Sequence, residues 1–149
     1  MQVVFRSHQG LVRPTNQDRA VARIIAGYHL VAVSDGAGGE KAGERASSLS
    51  IDMLSTFRPE TDDIDAHLGE IIERSHEAVL HESAEEEDKR GMCATYSIAA
   101  VRGSEAHWAH VGDSRIYLFR SELLMRVTED HTLPGALLST GVITNEQAR

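Results

Sequence analysis

Short apolar runs alternate with turn-forming residues in the first 35 positions of the chain. Runs rich in β-branched residues at Gln2–Phe5, Ala20–Ile25 and His29–Ser34 predict three strands. The segment from Gly10 to Asp18, "GLVRPTNQD", separates the first two and has the Gly, Pro, Asn and Asp content of a loop. The chain is therefore predicted to begin as a β-meander.

The pattern then changes to apolar residues spaced three or four positions apart. From Ala42 to Phe57 this spacing predicts an amphipathic helix that Pro59 closes. A second helix is predicted to begin near Thr61 and Asp62, whose side-chain oxygens suit an N-cap, and to end at Gly91. Two successive helices thus follow the meander.

Strand-like runs return after Gly91 and are joined by very short turns. The runs are "ATYSIAAV", "EAHWAHV", "RIYLFR" and "LLMRV", between Ala94 and Val127. Thr144 and Gln147 have the spacing of a capping box for one more helix. Strands, two helices and more strands predict an α+β fold with antiparallel sheets, in one domain over residues 1–149.

Composition limits the partners and the location of the protein. The formal charge of −8 makes nucleic acid and anionic membranes unfavourable partners, and no apolar run approaches the length of a membrane span. Cys93 is the single cysteine, in an apolar context that predicts a buried thiol. A soluble, cytoplasmic protein is expected.

Trp108 is predicted to pack in the core, and Asp130 and His131 to make loop hydrogen bonds.

Three aspartates lie where strands end or turn, and each is a candidate ligand. Asp35 ends a strand and precedes a glycine cluster, "DGAGGEKAG", that would let backbone approach a ligand closely. Asp18 follows Arg13 in the first loop, and Asp113 occupies a tight turn in "HVGDSR". One such aspartate is more often an Asx-turn or a cap, but three at strand ends could converge on a hard divalent cation.

Four ordered motifs resemble the metal-dependent PPM (PP2C-type) protein serine/threonine phosphatases, chiefly the bacterial members. They are "GLVRPTNQD", "DGAGGEKAGERAS", "VGDSRIYLFR" and "VTEDHT", and they run from Gly10 to Thr132. The resemblance implies a four-layer α/β/β/α sandwich of antiparallel sheets. The family's pattern continues past residue 149 with further aspartate motifs, so the expected domain lacks its C-terminal part and binds metal more weakly.

The resemblance also implies the roles of the site residues. Asp35 would bridge two Mn²⁺ or Mg²⁺ ions with help from the Gly36 carbonyl, Asp18 would hold metal-bound water, and Asp113 would help to bind a third ion. Arg13 would grip the substrate phosphate, as its planar fork suits two phosphate oxygens. The catalytic residues implied are thus Arg13, Asp18 and Asp35.

The implied activity is hydrolysis of phosphoserine and phosphothreonine in proteins by a metal-activated water. Phosphoproteins would be the partners, together with a cognate serine/threonine kinase or its substrates. An alternative of another class stays open, namely a catalytically silent PPM-like module that binds phosphoproteins or a partner chain. Absence of the later aspartates favours the silent module, whereas Arg13, Asp18, Asp35 and Asp113 favour the enzyme.

Overall fold

The computed structural model describes residues 1–59, 63–132, 137, 140–142 and 144. Up to Arg126, the described residues form seven strands and two α-helices in the order β1 (Asp18–Ile25), β2 (Tyr28–Ala37), α1 (Glu40–Met53), α2 (Ile64–Glu85), β3 (Cys93–Ala94), β4 (Tyr96–Arg102), β5 (Glu105–Val111), β6 (Tyr117–Arg120) and β7 (Leu123–Arg126). Short 3-10 turns follow each helix, at Leu54–Thr56 and Glu87–Lys89. The α+β class with antiparallel sheets is confirmed.

One antiparallel sheet has the strand order β1-β2-β4-β5, and the short strand β3 pairs with the end of β2 beyond β4. Ala26 and Gly27 form the β1–β2 turn with φ angles of 48° and 83°, the signs of the turn that suits the twist of a two-residue hairpin. Strands β6 and β7 form a separate hairpin. The connection between β2 and β4 is made by the two helices.

Both helices pack on one face of this sheet. Alternate residues of β2 and β4 point toward them, including Leu30, Ile98 and Ala100. Leu54, Phe57, Leu68 and Ile71 bury their side chains against these residues from the helical side. The core therefore lies between one sheet and one layer of helices.

The opposite face of the sheet carries apolar side chains that stay accessible. Ile24 is 69% exposed, Val33 45% and Trp108 40%. The prediction that Trp108 packs in the core is wrong, although the alternation behind it is correct: His107 and Ala109 face the helices and Trp108 faces away. Ile24, Val33 and Trp108 therefore lie on an accessible part of this face.

Several predicted boundaries need correction. No strand forms at Gln2–Phe5, since these exposed residues pair with no strand in the described part of the chain. Helix α2 ends at Glu85 and a 3-10 turn precedes Gly91, so the predicted helix extended too far at its C-terminal end. Asp63 caps α2 by accepting a hydrogen bond from the Ala66 amide.

Two capping predictions fall on residues outside the described ones. Thr61 and Asp62 belong to this group, as does Gln147, the second half of the predicted capping box. The predicted buried thiol is wrong, because Cys93 is exposed on the short strand β3. No helix in the described residues is long and apolar enough to cross a membrane.

Candidate functional site

Asp18 and Asp35 lie side by side at one end of the β1–β2 hairpin. They are directly opposite each other in the antiparallel register, so their side chains project from the same face of the sheet. That face is the one turned away from the helices. The structure therefore joins two of the three predicted carboxylates although the chain separates them by a whole hairpin.

The negative charge of Asp35 is unfavourable beside Asp18. Burial raises the pKa of Asp35 above its ordinary value, and the charge and hydrogen bond of Asp18 raise it further. The Arg13 guanidinium lowers the pKa of Asp35, whereas the charge of Asp113 raises it. The other three predicted side chains thus all act on Asp35, and burial together with the two carboxylates outweighs the single arginine.

Thr95 fixes the backbone on both sides of Asp35. The Asp35 amide donates to the Thr95 hydroxyl at 3.0 Å, and the Thr95 amide donates to the Asp35 carbonyl at 2.9 Å. The Ser34 hydroxyl donates to the Thr95 carbonyl at 2.6 Å. Three hydrogen bonds between neighbouring chain segments hold the Asp35 backbone in place.

The turn that carries Asp113 is fastened to the same threonine. The hydroxyls of Thr95 and Ser114 are 2.7 Å apart, and a Cβ at Gly112 would lie 2.6 Å from the Thr95 side chain. Gly112 also has a φ of 101°, which favours glycine. Its carbonyl accepts a hydrogen bond from the His131 amide at 2.8 Å.

The predicted loop hydrogen bonds of Asp130 and His131 are confirmed. Asp130 accepts two hydrogen bonds from Arg115, at 2.9 and 2.5 Å, and this pairing lowers the pKa of Asp130. The ring of His131 lies 5.0 Å from that of His110. The segment after β7 is therefore tied to the Asp113 turn.

Arg13 lines a cleft of about 270 Å³ together with Pro14, Thr15, Gln17 and the loop of Ala37, Gly38 and Gly39. Gln17 is buried and accepts a hydrogen bond from Arg13 Nη1 at 3.1 Å. A cleft that combines a guanidinium with a glycine loop can receive a phosphate group. The sequence offered one signal for Gln17, its place between Arg13 and Asp18, and none for Thr95.

The glycines have a packing role that the sequence did not reveal. A Cβ at Gly36 would lie 1.9 Å from the Gly43 carbonyl oxygen, so helix α1 approaches β2 more closely than any side chain permits. Gly38 touches the Met92 backbone in the same way, with a φ of 128°. The role of the Gly36 carbonyl as a metal ligand stays a prediction.

The donor chemistry of the site fits a hard divalent cation. Asp18 and Asp35 supply adjacent carboxylates whose repulsion a cation would relieve, and oxygen is the donor that Mn²⁺ and Mg²⁺ take in such sites. Within the described ranges, no three His, Cys, Asp or Glu side chains are close enough together to hold a metal ion. Asp18 and Asp35 are thus the side chains that would bind it most directly.

The family model described as protein phosphatase 2C matches residues 7–148 of the chain. The serine/threonine phosphatase stp of Listeria monocytogenes is 35% identical over 155 residues. The serine/threonine protein phosphatase PstP of Mycobacterium tuberculosis is 36% identical over 150 residues. Each alignment covers 99% of this chain but only 62% and 28% of the relative, so the chain spans less than two thirds of these proteins.

Solved structures agree with these relatives. The crystal structure of the Mycobacterium tuberculosis phosphatase PstP/Ppp superposes with a TM-score of 0.80 at 35% identity, over 95% of this chain and 60% of that one. A structure of the PstP catalytic domain in complex with two manganese ions also gives a TM-score of 0.80 at 35% identity. It covers 96% of this chain and 61% of the PstP chain.

Proposed function

Because the chain belongs to the protein phosphatase 2C family, we propose that it is a metal-dependent protein serine/threonine phosphatase that hydrolyses phosphoserine and phosphothreonine. The observation that carries the proposal is the Asp18–Asp35 pair beside Arg13, with its raised Asp35 pKa. A carboxyl group with a raised pKa beside a second carboxylate and an arginine is typical of sites that bind a cation or transfer protons. The relatives described above are named serine/threonine phosphatases.

Each residue of the site has a distinct task in this proposal. Asp35 would bind the metal ions with the Gly36 carbonyl as a further oxygen donor, and Asp18 would hold metal-bound water. Asp113 would help to bind a third ion. Two or three Mn²⁺ or Mg²⁺ ions, when bound, would supply Lewis-acid polarisation of the phosphate and lower the pKa of water. Arg13 binds two phosphate oxygens and orients the ester for in-line attack.

Thr95 and Gln17 contact these residues and support their positions, Thr95 through Asp35 and Gln17 through Arg13. Thr95 keeps Asp35 and the Asp113 turn at a fixed separation through its hydroxyl. Phosphoproteins are the proposed partners, along with a cognate serine/threonine kinase or its substrates. A chain with one cysteine suits a reducing compartment, and we place the activity in the cytoplasm.

A second candidate function is a catalytically silent module that binds phosphoproteins. It is favoured by the finding that the described residues bring only two carboxylates into direct contact, with no third metal-binding side chain close enough to join them. Arg13 and its cleft would still bind phosphate in such a module. The two candidates differ in turnover and not in phosphate recognition.

The test is release of phosphate from a phosphothreonine peptide by the 149-residue chain with Mn²⁺. Asp35→Asn and a chelator should each abolish release, because either one removes the metal. Asp88→Asn is the matched control, since it makes the same chemical change at an exposed residue of the 3-10 turn after α2 that is not among the charges acting on Asp35, and its activity should be unchanged. If the folded chain binds the peptide but releases no phosphate, the phosphatase proposal is wrong and the silent binding module is supported.

A further inference from the structure

Gln17 connects the phosphate-binding arginine to the rigid part of the fold. Its residue is only 8% exposed, although it lies in the loop just before β1. Its backbone carbonyl accepts a hydrogen bond from the Gly36 amide at 3.3 Å, which joins it to β2. The side chain is thus anchored while Arg13, four residues earlier, is exposed.

The two ends of the Gln17 amide have different partners. Oε1 accepts from Arg13 Nη1 at 3.1 Å, and Nε2 donates to the Gly39 carbonyl at 2.5 Å. A side chain needs one acceptor and one donor to make both bonds, and glutamine has them while glutamate at neutral pH lacks the donor. The amide therefore joins Arg13 to the glycine loop on the other wall of the cleft.

Close packing keeps this amide in one position. A Cβ at Gly43 would lie 2.8 Å from Gln17 Nε2 and 2.9 Å from Cδ, so the first turn of α1 leaves just enough room for the amide. Packing density of this kind prevents alternative rotamers. The Gln17 Oε1 atom that accepts the hydrogen bond from Arg13 is consequently held in one position.

We propose that Gln17 is a positioning residue that orients the Arg13 guanidinium toward phosphate in the cleft. The proposal rests on the proposed function, in which Arg13 is the phosphate ligand. A guanidinium has five N–H donors, so one bond to Gln17 leaves donors for two phosphate oxygens. Ordering the arginine before phosphate binds removes an entropy cost from the binding step.

A double-mutant cycle with inorganic phosphate as the probe separates this role from a structural one. Affinity is measured by NMR titration of the 149-residue chain with Mg²⁺ present. Gln17→Met should weaken phosphate binding about three- to tenfold, the equivalent of one hydrogen bond, and Arg13→Ala about 10- to 100-fold. In the Arg13→Ala background, Gln17→Met should change the affinity by less than about twofold, because the residue acts through Arg13.

Gln9→Met is the matched control for this cycle. Gln9 Nε2 donates to the Arg13 backbone carbonyl at 2.7 Å, so the control removes an amide beside the same arginine without touching its guanidinium. Its phosphate affinity should stay within about twofold of the parent. Equal losses from Gln9→Met and Gln17→Met, or additive losses in the double variant, would overturn the proposal.

A measurement on the unmodified chain covers the case in which Gln17→Met does not fold. NMR of the guanidinium groups should show slower rotation about the Cζ–Nη bonds for Arg13 than for Arg6, which is exposed in the N-terminal segment. Equal rotation rates would refute a positioning role. Absence of phosphate binding by the chain would also refute it, whereas absence of hydrolysis alone would refute only the proposed activity.

Discussion

Gly36→Ala tests whether the close approach of α1 to β2 sustains this fold. The added methyl group would stand 1.9 Å from the Gly43 carbonyl oxygen and 2.5 Å from its carbon. Ordinary van der Waals contact begins at 3.4 Å, so the helix would have to retreat by about 1.5 Å. Both obstructing atoms are backbone, and no side-chain rotation can relieve the overlap.

The expected loss of unfolding free energy follows from this displacement. Overpacking a core costs about 1–3 kcal/mol, and a backbone obstacle places Gly36→Ala at the upper end of that range. A retreat of α1 would also loosen Ala42 and Ala46, which are buried against Val79 and Met92. We therefore expect a loss of about 3 kcal/mol, a large part of the 5–15 kcal/mol typical of a domain.

Gly69→Ala provides the matched control, because it makes the same chemical change inside a helix with opposite consequences. A Cβ at Gly69 meets nothing within 4 Å, so alanine should stabilise α2 by about 1 kcal/mol through its better helix propensity. Urea unfolding followed by circular dichroism would measure both variants. If Gly36→Ala unfolds at the same urea concentration as the parent, the close contact does not constrain the fold.

Three further predictions concern charges and polar groups. Glu82 accepts hydrogen bonds from Arg45 and Lys89, which lower its pKa to about 2. Its ionised form therefore stabilises the fold at pH values above the ordinary pKa of 4.5. This contribution is lost as the pH falls toward about 2. Glu82→Gln should cost about 1 kcal/mol at pH 7 in urea unfolding, and the gap should shrink as the medium is acidified. Tyr96→Phe should leave stability unchanged or raise it by about 1 kcal/mol, because the Tyr96 hydroxyl is buried with no hydrogen-bond partner in the described residues; a clear loss in thermal unfolding would show that the hydroxyl is satisfied. Asp35→Asn should stabilise the metal-free chain at pH 7, since it removes a charge whose burial and whose repulsion by Asp18 raise the Asp35 pKa. It should also abolish stabilisation by Mn²⁺. Thermal unfolding of parent and variant with and without Mn²⁺ checks this prediction, which a metal-free variant less stable than the parent, or a variant that Mn²⁺ still stabilises, would contradict.

Local patterns were sufficient to predict most of the fold. The alternation in β2 and β5 and the three-to-four spacing in α1 are properties of neighbouring residues, and these elements form close to where they were expected. The strand predicted at Gln2–Phe5 does not form, because a strand needs a partner strand and local sequence does not show whether one is present. Trp108 follows the same logic: a period of two tells which residues share a face, but not which face the helices cover.

The positions of the three aspartates at strand ends and turns could be predicted from the sequence, whereas the contacts of Thr95 and Gln17 could not. Asp18, Asp35 and Asp113 stand at strand ends, which the sequence reveals through turn-forming neighbours. Thr95 bonds Asp35 from 60 residues away, and Gln17 reaches Gly39 across 22 residues. Contacts at such separations depend on how α1 and β4 pack, which one sequence does not specify.

The bonds of Thr95 also set the order in which the site can assemble during folding. Asp18 and Asp35 belong to a single hairpin with a two-residue turn, so they can meet early and at low loop-closure cost. Thr95 meets Asp35 across a sequence separation of 60 residues, and contacts of this separation are expected to form slowly. We therefore expect the carboxylate pair to form before its support, and the amide of Asp35 to be protected from hydrogen exchange only once β4 has joined the sheet and Thr95 accepts its hydrogen bond.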